Sequence, residues 1–171
     1  NVGADYMWNI TNSFHGYKAL DINDRPERKT ELISTFGFNV SKQNEGRGSS
    51  LGLNASLKGV WHMNRMFGLF LEPQLRMYGD SYISGVTPVF NNDVLTSVIA
   101  GVQIKAFSNW GGTGLDRGNF DDVDGNRFFS FAMGPSGNGQ QLAYTDLYAF
   151  NARLSLGSWF SPFAAWRGNM G

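Results

Sequence analysis

The side chains able to do chemistry are few. The chain has two histidines, His15 and His62, and no cysteine. A hydrolase needs a nucleophile and a general base within hydrogen-bond reach. Neither histidine has a Ser or Asp partner at a spacing that would make one. Two isolated histidines also make a poor zinc site, so no metal is expected. Asp121-Asp-Val-Asp-Gly-Asn126 hints at a calcium loop. It lacks the ligand spacing and the distal Glu of an EF-hand, and it reads as a solvated acidic loop. Gly134-Pro-Ser-Gly-Asn-Gly139 is a reversed echo of a phosphate loop with no βαβ unit around it, and it reads as a turn. Three glycosylation patterns, at Asn9, Asn39 and Asn54, fall inside predicted strands and are read as chance. The residues therefore predict neither an enzyme nor a cofactor.

What remains is a set of charges: Asp5, Glu31, Lys58, Glu72, Arg76, Lys105, Arg153 and Arg167. Each falls on the polar side of a segment that alternates with period two. From Phe67 to Gly79, one face reads Phe67, Leu69, Leu71, Pro73, Leu75, Met77. The other reads Gly68, Phe70, Glu72, Gln74, Arg76, Tyr78. From Ser50 to Met63, Leu51, Leu53, Ala55, Leu57, Gly59, Trp61 and Met63 share a face, against Ser50, Gly52, Asn54, Ser56, Lys58, Val60 and His62. Val2–Thr11, Glu31–Val40, Val94–Ile104, Phe129–Gly134 and Tyr148–Phe160 follow the same rule. Leu95 and Ile99 blur one stripe. A short last piece carries Ala164, Trp166 and Met170 against Arg167 and Asn169. That makes about eight strands, most near the roughly 9–11 residues a tilted membrane strand needs.

The composition points the same way. Of 171 residues, 16% are charged and 15% aromatic, with 22 glycines. Few charges are unusual for a soluble surface, yet the mean hydropathy of −0.27 is not that of a helical membrane protein. No run of about 20 apolar residues exists. A membrane barrel needs apolar and polar residues in similar measure, one set for lipid and one for the lumen. Formal net charge is zero, which gives no reason to expect nucleic acid as a partner.

The connections sort by length. His62–Met66 and Ser161–Pro162 are tight turns. Asn12–Thr30, Gly79–Asn92 and Ser108–Asn126 are longer, polar loops. Trp8, Trp61, Trp159 and Trp166 lie at or near strand ends and are assigned to an interfacial aromatic girdle. The eight charges are assigned to the lumen. A barrel of about eight strands is just filled by side chains, whereas a diffusion pore needs roughly 16 strands. Charges in so narrow a lumen must be paired, so a salt-bridge network is expected around Glu72 and Arg76.

Several runs are similar to strands of the OmpA-like outer-membrane β-barrels. Phe67-Gly-Leu-Phe-Leu-Glu-Pro-Gln-Leu-Arg-Met-Tyr-Gly-Asp80 resembles that family's penultimate strand. Asp5-Tyr-Met-Trp-Asn-Ile-Thr-Asn12 resembles its fourth. Leu156-Gly-Ser-Trp-Phe-Ser-Pro162 resembles its second strand and following turn, and Val94–Phe107 its last. The resemblance implies an all-β chain: one domain over 1–171, an eight-stranded antiparallel transmembrane up-and-down β-barrel. It implies a structural or adhesive role, or that of an accessory subunit in a larger outer-membrane assembly, with no cofactor and no catalytic residue. It places the chain in the cell outer membrane of a Gram-negative cell, against the lipid bilayer and lipopolysaccharide and beside other outer-membrane proteins.

The order is rotated. The family would place Arg127–Gly171 before Asn1–Phe107, with 108–126 joining its two termini. A circular permutant, a piece of a tandem pair and a chain with a stretch missing are all consistent with that order. Asn12–Thr30 then becomes an unusually long periplasmic connection. Phe107 stands where the family's terminal aromatic assembly signal falls, out of phase with Val102 and Ile104. The rival reading is a soluble lipocalin-like barrel carrying a small apolar ligand, for which Gly157-Ser-Trp159 matches a G-x-W element. That reading turns the apolar stripes inward.

Overall fold

A computed structural model describes residues 1–17, 28–42, 49–64, 66–79, 92–106, 126–138 and 149–171. The loop expectations for Gly79–Asn92 and Ser108–Asn126, and the Asp121–Asn126 run, lie largely outside these residues, as does Phe107. The described chain forms β1 (Val2–Asn9), α1 (Ile10–His15), β2 (Thr30–Lys42), β3 (Ser49–His62), β4 (Phe67–Gly79), β5 (Asn92–Ala106), β6 (Asn126–Asn138), β7 (Ala149–Trp159) and β8 (Ala164–Met170). Each strand pairs antiparallel with the next, and β8 pairs back to β1, giving a closed eight-stranded barrel. Closure leaves no sheet edge along the paired strands. One end of the barrel carries both termini, where Asn1 and Gly171 exchange hydrogen bonds. The opposite end, the turn end, carries α1, the hydrogen bonds from Met63 and Asn64 to the Phe67 carbonyl, and the tight turn at 160–163.

Alternation decides what faces where. Val2, Tyr6, Trp8, Phe36, Phe38, Leu51, Leu53, Leu69, Leu71, Val98, Phe131 and Leu154 point outward and are exposed. Their neighbours in sequence point into the lumen. The blur at Leu95 and Ile99 is resolved by this parity. Ile99 is a buried lumen residue, packed with Met7, Ile33, Val60, Phe70, Phe128, Ala132 and Ala165. This apolar cluster fills the lumen toward the turn end, and polar side chains fill the rest. Gly157 makes room in it: a Cβ there would come within 2.2 Å of the Phe128 ring. Gly157→Leu is expected to displace that ring and destabilise the barrel by about 1–3 kcal/mol, read by chemical unfolding. An unchanged midpoint would mean that the ring moves aside freely.

Three local readings are corrected. Ile10 and Thr11 do not extend β1; they begin α1. Asn9 caps that helix, its side-chain carbonyl accepting from the Asn12 N–H at 2.9 Å. Ser, Thr, Asn and Asp at this position offer the chain an alternative to the sheet ladder. Asn9→Ala is expected to cost about 1 kcal/mol of stability by loss of the cap. The same unfolding measurement on Asn9→Asp, which keeps an acceptor, should show little loss. Second, the first part of Asn12–Thr30 is therefore helical, not irregular loop. Third, Gly134–Asn138 is no turn but the last part of β6, paired to both β5 and β7. Its Gly134 lies so close to the neighbouring backbone that a Cβ would meet the Val98 carbonyl at 2.0 Å. The glycine serves close strand approach, which a composition-based turn reading cannot separate from a bend.

Candidate functional site: the lumen network

The central charge network of the lumen is built from inward positions of β1, β3, β4, β7 and β8. Glu72 in β4 is fully buried and lies at its centre. Arg167 in β8 donates to both Glu72 oxygens, at 2.9 and 3.0 Å, and through Nε and Nη2 to Asp5 Oδ2 in β1, at 2.9 and 2.7 Å. Arg153 in β7 donates to Glu72 Oε2. Ser56 Oγ donates to Glu72 Oε1 at 2.6 Å, and Gln74 adds an amide N–H at 3.1 Å. Asn54 and Asn169 donate to the Asp5 carboxylate. Charge-assisted, bidentate bonds of this kind are the strong ones, and desolvation makes every missing partner costly.

Of the predicted lumen charges, the structure brings Asp5, Glu72, Arg153 and Arg167 into one network. Arg76 is a correction: it does not pair with Glu72. It is half-buried and donates to Gln74 Oε1 at 3.0 Å instead. Arg76 is four residues along the strand from Glu72, two inward positions nearer the terminal end, with Gln74 between them. Arg167 and Arg153 fill the space across the lumen. Lys58 is fully buried but forms no ion pair among the described residues. Its ammonium donates to Gln103 Oε1 and sits 4.0 Å from the Phe70 ring centroid and 5.5 Å from that of Phe128. Cation–π attraction grows with desolvation and stands in for part of the lost hydration.

Glu31 and Lys105 lie apart from the network, near the turn end. Glu31 pairs with His62 at 3.1 Å and is attracted electrostatically by Lys105. Beside them, burial and the Glu31 carboxylate hold the Tyr17 phenol above its ordinary pKa. Asn12, buried in α1, donates to the Pro162 carbonyl and accepts from Arg28, which also bonds the His15 and Gly16 carbonyls. These contacts fold α1 against the turn end. Sequence reasoning missed Ser56, Gln74, Gln103, Asn54 and Asn169 as partners, although each has inward parity.

The tryptophans divide. Trp8, Trp61 and Trp166 point outward. Trp8 donates its indole N–H to Ser13 and lies beside the exposed Phe14 of α1. Trp159 is a correction. It has inward parity with Arg153, Ser155 and Gly157, and packs on Phe128 and the apolar cluster at a ring separation of 6.4 Å. It is therefore no part of an outward girdle.

Arginines anchored on a carboxylate, with neighbouring amides and a hydroxyl, can hold strands in register. Among the described residues no group of three or more His, Cys, Asp or Glu side chains could hold a metal ion. Among the described residues, no helix is long and apolar enough to cross a membrane. No family model, no curated protein and no solved structure matches the chain.

Proposed function

We propose that this chain is a membrane-spanning barrel of the OmpA-like kind, set in a bacterial outer membrane, with its lumen plugged by side chains. In this reading it carries loops at the cell surface or serves as an accessory subunit beside other outer-membrane proteins. The lipid bilayer and lipopolysaccharide are its surroundings, and it performs no catalysis.

One observation carries this reading: the barrel is inside out by the standard of a soluble protein. Leu51, Leu53 and Leu156 lie outward at 64%, 65% and 58% exposure, while Glu72 and Lys58 are fully buried. In water, an apolar outer wall this extensive would drive association. In a bilayer it costs nothing, because lipid is the solvent the wall matches. The carrier reading needs an apolar, open lumen, and the described lumen is filled by side chains, apolar toward the turn end and charged and hydrogen-bonded beyond it. Trp8 and Phe14, adjacent at the turn end, suit the headgroup region, where an amphipathic ring is favoured.

The test is extraction into mild detergent, followed by gel electrophoresis of unboiled and boiled samples. The membrane reading expects a detergent requirement and a band that shifts on heating. Protein that stays soluble without detergent, with no shift, would sink it.

A further inference from the structure

Among the described residues, the middle and terminal end of the lumen carry three guanidiniums, Arg76, Arg153 and Arg167, against two carboxylates, Asp5 and Glu72. Glu31 and Lys105 balance one another at the other end. The excess positive charge lies next to a small cavity of about 20 Å³ lined by Asn39, Asn54, Arg76, Arg153 and Asn169, with Asn1 and Gly171 at its rim. A cavity of roughly 10–15 Å³ or more on this measure admits a single water-sized occupant.

Two of its lining side chains are buried and incompletely bonded. Asn39 is 5% exposed, and neither its amide nitrogen nor its oxygen has a partner; Arg153 is 5% exposed, and its Nε–H has none. Arg76 uses Nη2 on Gln74, which leaves guanidinium donors for another group. Asn54 and Asn169 line the same cavity with amides already committed to Asp5, and their oxygens have no hydrogen-bond partner. Arg153 and Arg167 share the single Glu72 carboxylate, so Arg153 is the less neutralised of the two.

We infer that this cavity is a site for one monatomic anion, a halide, held between the Arg76 and Arg153 guanidiniums and the Asn39 amide. A space of about 20 Å³ suits a monatomic anion better than sulfate, phosphate or a carboxylate. The neighbouring charge favours an anion over water, since buried guanidinium donors are costly to leave unmet and an anion also offsets the excess charge. The ion completes the plug at the terminal end, and it does so whichever solvent surrounds the barrel.

Bromide replaces chloride and scatters anomalously, so crystals of the intact barrel grown in bromide test the site directly. The expected result is an anomalous peak within hydrogen-bond reach of Arg76 and Arg153. In solution, the thermal midpoint should rise as bromide replaces gluconate at constant ionic strength. Both effects should be lost in Arg76→Gln, which removes a half-exposed charge outside the central ion pairs and leaves the barrel able to fold. A cavity holding only water in bromide, or a midpoint shift equal in the wild type and Arg76→Gln, overturns the inference.

Discussion

Glu72→Gln is expected to lower the free energy of unfolding by about 3–5 kcal/mol. The substitution keeps the size of the side chain and removes only its charge. Arg167 and Arg153 both bond that carboxylate and are themselves buried. Without it, two guanidiniums face each other across the lumen with Asp5 as the remaining carboxylate in the network. Breaking a buried pair costs more than the pair contributes over an apolar replacement, because the surviving charge is stranded. Equilibrium unfolding in urea, followed by tryptophan fluorescence of the folded barrel, measures the loss. A cost below about 1 kcal/mol would show the lumen hydrated enough to solvate both arginines. Adding Arg153→Met to Glu72→Gln should recover part of the loss, since one stranded charge then disappears.

The second large effect is on the outer wall. Phe36 lies midway along β2, between Tyr6 of β1 and Ala55 of β3, and is exposed. Phe36→Arg is expected to cost about 2–4 kcal/mol when the barrel is folded into lipid vesicles, the depth-dependent penalty for a cation on a lipid-contacting wall. The same substitution on a water-facing surface changes stability by only about 0.5 kcal/mol either way. A neutral Phe36→Arg in vesicles would therefore remove the membrane reading, while leaving the fold untouched.

Much of the barrel was legible because its signal is local. The alternation over Phe67–Gly79 is β4 itself, and that over Ser50–Met63 is β3 displaced by one residue at each end. A period of two needs only a few residues to show itself, and a one-residue slip would put Glu72 on the outer wall. What stayed hidden was non-local. Glu72 has its partners in β7 and β8, 81 and 95 residues on. Parity tells that Arg76, Arg153 and Arg167 point inward, but not which of them lies level with Glu72. That depends on the strand stagger of the closed barrel, which no single segment encodes. Trp159 was misplaced for a simpler reason: nearness to a turn was weighed above the parity it shares with Arg153. The helix after Asn9 was missed because Ile10 and Thr11 keep the strand pattern, and only the cap betrays the change.

The pairing of β1 with β8 has a consequence for how the ring assembles. Every other strand pair joins neighbours along the chain, whereas this seam joins Asp5 to Arg167, 162 residues apart. Hairpins can form early, because their loops close cheaply and fast. The seam must wait for all of them, and contacts of such long sequence separation slow folding. Until it shuts, the chain is an open sheet with two bare edges and an apolar face, the form most prone to pairing with other chains. The Asp5–Arg167–Glu72 bridge ties both edge strands to the middle of the sheet, and so acts as a latch whose closing ends that hazardous interval.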